Sequence, residues 1–391
     1  MIKRAIEKKL KGFAKQYPVI LLTGPRQSGK TTLCRSVFPA KPYLNFESLE
    51  NQEFAEKDPK GLLEKYPDGA VFDEIQRCPQ LLSYIQVRLE EHKKKGMYIL
   101  TGSQNLLLLR SVQQSLAGRV AILELLPFSL DEIRGKISGH SIEQVIYTGC
   151  FPGVWNEKLN PTEAMRGYVR TYVERDLRQI INVKNLSTFQ KFLKLCAGRI
   201  GQILNLSSIG NDLGISHTTI REWLSVLEAS YIIYLLPAYY KNLNKRLVKS
   251  PKLYFMDTGL ACYLLGIESH KHVSQYPLYG SLFENLIVTE MLKYFYDDAR
   301  NAPLYFFRDK IGNEVDLVIE RSQDIVGVEV KAGRTINSEW FKGLNYLSKI
   351  AKINVLSGHL VYGGVDTFKR EGIHIWPYSQ VKKLYLSIEG H

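Results

Sequence analysis

Apolar residues in the first third of the chain fall in short unbroken runs, separated by stretches of helical periodicity. Val19 to Thr23, Ala70 to Ile75, Met97 to Asn105 (ending in small polar residues) and Val120 to Leu126 read as strands of a buried sheet. Strands alternating with helices predict a parallel α/β core over residues 1–128, since only a sheet covered on both sides needs such continuous apolar strands. Residues 129–203 carry a mostly helical pattern. Within 204–256, Leu206 to Leu213 reads as a short helix with a serine start and Gly214-Ile215 as a turn. Ser216 is placed to cap a second helix with Ile220, Trp223, Leu224 and Leu227 along one stripe. Over 257–391, a periodic helix opens at Phe283-Glu284-Asn285-Leu286. Strands follow at Leu304 to Arg308, Glu314 to Glu320 and Ile325 to Lys331. Ahead of everything, Met1 to Gln16 reads as a basic amphipathic helix with Ile2, Ile6, Leu10 and Phe13 on its packed face.

The first strand runs into Gly24-Pro25-Arg26-Gln27-Ser28-Gly29-Lys30-Thr31-Thr32, which fills the pattern G-x-x-x-x-G-K-[ST]. Glycines at both ends let the backbone curl, so that its N–H groups and the start of the next helix face phosphate oxygens. All nine residues are expected to wrap a nucleoside triphosphate, with Lys30 on the β and γ phosphates and Thr31 on Mg²⁺. The run Val71-Phe72-Asp73-Glu74 ends an apolar strand in two acids. Asp73 is expected to serve Mg²⁺ and Glu74 to polarise the attacking water. At the end of the next strand, Ser103 is the first choice for a contact to the γ phosphate. Asn105 is either a second such residue or a helix cap. Arg119 is either a charge that stabilises the transition state, in its own site or a neighbour's, or a turn residue at the surface. Arg175 and Asp176 are read either as a lid contact to the nucleotide or as a surface pair.

The loop, Val71 to Glu74, Leu100-Thr101-Gly102-Ser103, Leu116 to Arg119 and Leu126-Pro127-Phe128-Ser129 resemble a family of prokaryotic AAA+-type ATPases. Further matches are Gly149-Cys150-Phe151-Pro152, Tyr172 to Asp176 and Tyr254 to Leu260. The resemblance spans nearly the whole chain. It implies a P-loop ATPase core (1–128), a helical lid or linker (129–203), a winged helix-turn-helix (204–256) and a nuclease-like C-terminal domain (257–391). In that last segment Asp316, then Glu329-x-Lys331 on the next strand, with Glu284 on the preceding helix, resembles the PD-(D/E)XK nuclease core. Val315 stands where that motif has its proline. Glu284, Asp316 and Glu329 are expected to bind Mg²⁺ and Lys331 to position or activate water, unless the fold is kept only as an interaction module.

Lysine and arginine exceed aspartate and glutamate by 13 over 391 residues, which favours a polyanionic partner or an anionic membrane surface. His217, Thr218, Thr219, Arg221 and Ser225 on the second helix would face a groove. The basic run Lys241 to Lys252 would form a wing on the phosphates. No apolar run approaches the roughly 20 residues of a membrane span, and five scattered cysteines suit a reducing cytoplasm. ATP or ADP, Mg²⁺, DNA, a second copy of the chain and a protein partner are therefore the expected company. Two readings stand: an ATP-driven enzyme acting on DNA, or a nucleotide-controlled switch whose nuclease-like domain is catalytically inactive.

Overall fold

The computed structural model describes residues 2–92, 94–102, 112, 114–177, 185–240, 249–322, 324–351 and 355–390. The chain divides into two units. One comprises Met1–Phe128, Ala229–Tyr231 and Tyr296–Arg300; the other comprises Ser129–Glu228, Ile232–Phe295 and Asn301–His391. Among the described residues no helix is long and apolar enough to cross a membrane.

The first unit is built on strands β1 (Val19–Thr23), β2 (Tyr43–Asn45), β3 (Val71–Asp73), β4 (Tyr98–Thr101) and β5 (Val120–Glu124). They lie in the order β2-β3-β4-β1-β5, and every pairing is parallel. β1 is buried at every residue, and alternation splits it between two cores. Val19 and Leu21 pack with Leu81, Leu82 and Ile85 on one face. Ile20 and Leu22 pack with Leu33, Ile6 and Leu10 on the other. The N-terminal helix is shorter than its pattern predicts, running Glu7–Ala14, with Ile2 and Phe13 only half-buried. β5 stops at Glu124 rather than Leu126, where β1 itself ends in the loop.

In the second unit the helices Leu206–Leu213 and His217–Ala229 precede β6 (Ile233–Leu236) and β7 (Lys252–Phe255), which pair antiparallel. The first of these helices is capped by Asn205, whose side chain accepts from the Ser208 amide at 3.0 Å, and not by a serine. Ser216 caps the second by accepting from the Thr219 amide at 3.1 Å. That helix buries Ile220, Trp223, Leu224 and Leu227. His217, Thr218, Arg221 and Ser225 are exposed, and Thr219 is half-buried.

The helix Tyr279–Asp297 then leads to β8 (Leu304–Arg308), β9 (Glu314–Arg321), β10 (Asp324–Lys331), β11 (Val355–Tyr362), β12 (Phe368–Arg370) and β13 (Ile373–Pro377). These form one mixed sheet in the order β12-β13-β11-β10-β9-β8. The run around Cys150 and the run around Asp257 meet in this unit. Asp257 accepts from the Cys150 amide at 2.6 Å and the Leu260 amide at 3.0 Å. Gly149, at φ 67°, leaves room for that carboxylate, since a Cβ there would lie 2.3 Å from Asp257 Oδ1. Across the division expected at 256/257, Asn285 brackets Phe255 with hydrogen bonds of 2.6 and 2.8 Å.

On β11, His359 is 5% exposed and accepts from the Trp376 indole N–H at 3.1 Å. Burial, and then His374 nearby, push its pKa down from 6.5 to about 4. The unfolded imidazole therefore takes up a proton below pH 6.5 that the folded one refuses until about pH 4. Stability falls as pH drops through that window, by up to about 3 kcal/mol. In urea unfolding, His359→Asn is expected to lose less stability than the parent between pH 7 and pH 4.5.

Candidate functional site

The loop after β1 lies at the edge of the sheet where the strands end. Gly24 has φ 145°, and a Cβ there would sit 2.2 Å from the Leu125 carbonyl oxygen. Gly29, at φ 91°, opens the helix Lys30–Val37. Ser28 is fully buried, and its hydroxyl has no hydrogen-bond partner among the described residues. Lys30 is 6% exposed, with its ammonium donating to the carbonyls of Gly24 (3.0 Å) and Pro25 (2.7 Å). Burial pulls its pKa down to about 8, against the charges of Glu74 and Asp73 and with Arg26 adding to the shift. Arg26 and Thr31 are half-buried; Gln27 and Thr32 are exposed. A curled backbone with no room for a side chain, a buried lysine and an orphaned hydroxyl together suit a phosphate chain.

Asp73 ends β3 and is 2% exposed. It accepts from the hydroxyls of Thr31 (2.7 Å), Tyr43 (2.6 Å) and Thr101. Oxygen donors of this kind are the set that Mg²⁺ prefers. Glu74 follows at φ 57°, a left-handed conformation that costs a non-glycine residue roughly 1–3 kcal/mol. Gln76 donates to its carboxylate. Tyr43 and Thr101 carry no motif and went unassigned in the sequence. So did Arg4, whose guanidinium is buried over the Phe128 ring and donates to the carbonyls of Ser28 (2.8 Å) and Leu126 (2.6 Å), bracing the loop.

Arg119 stands elsewhere. It immediately precedes β5, beside Val19 at the opposite end of β1 from the loop. Five strand residues separate it from Gly24, roughly 17 Å at the usual rise. It pairs with Glu90 at 3.0 Å. A role in the phosphate chemistry of its own subunit is thereby excluded. Ser103 and Asn105 lie outside the described residues, as do the side chains of Arg175 and Asp176.

A second polar centre is assembled in the other unit. Glu284, Asp316, Glu329 and Lys331 lie close together there. Lys331 contacts Asp316 (3.1 Å) and Glu329 (2.6 Å), and the Val330 amide donates to Asp316 at 2.9 Å. Unexpected members are Glu314, Tyr254 and above all Lys252, which is 2% exposed. The Lys252 ammonium lies 2.9 Å from Glu284, 2.5 Å from Glu314 and 3.8 Å from Asp316. The Tyr254 hydroxyl donates to Glu284 at 2.5 Å, and Arg308 pairs with Glu314 at 3.0 Å. Burial, then Asp316, raise Glu284 to about 7. Burial and Asp316 also hold Glu329 well above the usual carboxylate range. Burial pulls Lys252 down, but Glu284, Asp316 and Glu314 outweigh it and keep the ammonium protonated.

Two expectations fail against this geometry. Lys252 is not part of a phosphate-touching wing, because its charge is turned inward onto carboxylates; residues 241–248 of that run lie outside the described residues. The grouping of Glu284, Asp316 and Glu329 as Mg²⁺ ligands does not fit either. With the lysines in place, no three acids, histidines or cysteines among the described residues are disposed to hold a metal ion. Lysines neutralise these acids instead.

A parallel sheet of this order, with a glycine-lysine loop after β1 and an acid at the end of β3, defines a P-loop NTPase fold. Residues 16–134 match the family model described as an AAA domain, while residues 139–271 and 279–381 match two domains of unknown function. An uncharacterized protein of Mycobacterium tuberculosis is 30% identical over 322 residues, covering 81% of this chain and 71% of its own. Another, from Haemophilus influenzae, is 24% identical over 346 residues, 79% of this chain and 81% of its own. Among solved structures, the Walker-type ATPase of Pyrococcus abyssi covers 68% of this chain and 96% of its own. It is 16% identical, with a TM-score of 0.41. The chain belongs to the family of prokaryotic AAA-type ATPases that carry a C-terminal domain of unknown function.

Removing one of the three hydroxyls leaves a buried carboxylate oxygen short of a donor, at a cost of about 1–3 kcal/mol. Thr101→Val is expected to lower stability in urea unfolding by that amount. Tyr43→Phe, at a half-buried position, is expected to lower it by less.

Proposed function

We propose that the protein is a Mg²⁺-dependent ATPase of AAA type whose turnover controls a C-terminal unit that grips DNA. The reading is carried by the convergence of Lys30, Thr31 and Asp73 at one edge of the parallel sheet, with the Thr31 hydroxyl 2.7 Å from the Asp73 carboxylate. Gly24 to Thr32 would wrap the phosphates of ATP or ADP with backbone amides, and Lys30 would orient the β and γ phosphates. Thr31 and Asp73 would hold Mg²⁺, which when bound neutralises charge on the phosphates. Glu74 would take a proton from the attacking water, and Ser103 would stand beside the γ phosphate. Arg119 can serve only a neighbouring copy's site, a role that requires a homo-oligomer. Five buried cysteines without a disulfide suit a reducing cytoplasm.

In the second unit, the two capped helices and the β6–β7 ribbon are read as a winged helix. The exposed His217, Thr218, Arg221 and Ser225 then lie where a groove-facing helix presents its side chains. The C-terminal sheet, with Asp316 on β9 beside Glu329 and Lys331 on β10, is read as a restriction-endonuclease-like core. Cutting and gripping are both open to such a core, and the buried Lys252 favours gripping. Partner proteins recruited by the nucleotide state belong to the same reading.

Lys30→Ala is expected to abolish ATP turnover. Glu74→Gln should retain ATP while losing at least about a hundredfold in kcat, measured by phosphate release and by retention of labelled nucleotide. If Glu74→Gln turned over at the parent rate, the assignment of the base would be wrong. For DNA, fluorescence anisotropy across a salt series should give an affinity that falls steeply with salt, with a shallower slope for Arg221→Ala. An affinity indifferent to salt, or absent, would leave the nucleotide-controlled protein switch as the function.

A further inference from the structure

The acidic centre of the second unit is arranged around a cation that the chain supplies itself. An ammonium group has three N–H donors and no acceptor, and that of Lys252 faces three carboxylates. They come from two elements: Glu284 on the helix Tyr279–Asp297, and Glu314 and Asp316 on β9. Convergence of several carboxylate oxygens on one point is what a hard divalent cation would need. Here the point is taken.

Nor can the lysine readily leave. β7 is paired along its length with β6, from Ile233 against Phe255 to Leu236 against Lys252. The Asn285 amide holds the backbone of Phe255 on both its N–H and C=O groups. The ammonium lies over the Phe306 ring, 5.6 Å from its centroid. Charge argues the same way. Four acids (Glu284, Glu314, Asp316, Glu329) meet three cations (Lys252, Lys331, Arg308). A divalent ion added to these would place five positive charges against at most four negative ones.

We propose that Lys252 is the permanent resident cation of this centre, occupying the position that a divalent metal would take between Glu284, Glu314 and Asp316. The centre is therefore a metal-free polar core, and the C-terminal unit does not perform metal-dependent phosphodiester cleavage. A latent divalent site lies beneath the lysine and is uncovered by removing its charge. This goes beyond the ATPase reading and is independent of it, because it is tested without nucleotide.

The experiment titrates Mn²⁺ into the full chain carrying Asp73→Ala, which disables the metal position of the phosphate loop, and reads free Mn²⁺ by electron paramagnetic resonance. With Lys252 in place, no Mn²⁺ binding that depends on Asp316 is expected. Lys252→Met in the same background should bind one Mn²⁺ at least tenfold more tightly than its parent, and adding Asp316→Asn should abolish the gain. Circular dichroism and a melting curve establish that the variants are folded. A folded Lys252→Met chain that binds no better than its parent overturns the proposal. So does a Lys252 chain whose Mn²⁺ binding is lost on Asp316→Asn. That second comparison keeps lysine and decides the matter even where Lys252→Met fails to fold.

Discussion

Burying a carboxylate is costly unless donors meet it, and in the first unit that constraint falls on Asp73. Its three hydroxyl donors come from β2, from β4 and from the helix after the loop. The strand order makes this possible. β3 lies between β2 and β4, so both neighbours can deliver a side chain to the same edge of the sheet. β1 lies on the far side of β4 and brings the phosphate loop to that edge, because parallel strands end together. The same parallelism carries Arg119 away, since a residue that precedes β5 must stand at the opposite edge.

What the sequence made legible was whatever lies within a dozen contiguous residues. The loop, the acid pair at Asp73 and Glu74, and the buried strands are all local patterns, and the fold places them together. Tyr43 and Thr101 belong to no such pattern. Their contact with Asp73 depends on the register that sets Asn45 beside Asp73 and Phe72 beside Leu100, which spacing along the chain does not encode. Arg4 is a still longer-range case: its partners lie 24 and 122 residues away. Arg4 lies within the basic N-terminal helix that the pattern predicts, off the stripe of Ile2, Ile6, Leu10 and Phe13, and only the packed fold turns it inward.

Lys252 was misread for a related reason. It closes a run of basic residues, and such runs usually face water. The contrary signal was present, however: Lys252-Leu253-Tyr254-Phe255 is a strand buried at every position. Alternation puts Lys252 and Tyr254 on one face of it. A lysine and a tyrosine on the same face of a buried strand need acceptors, and the acids of β9 and of the long helix are what the chain offers. Assigning a wing from charge alone overlooked that requirement.

The two centres solve one problem in different ways. At Asp73, the buried acid is held by hydroxyls, which are neutral and can turn to accept as well as donate. A cation can therefore enter without leaving another charge stranded. At the C-terminal centre the acids are held by ammonium groups tethered to the backbone, and a second cation could enter only against their charge. Exchange of a bound ion is compatible with the first arrangement and opposed by the second.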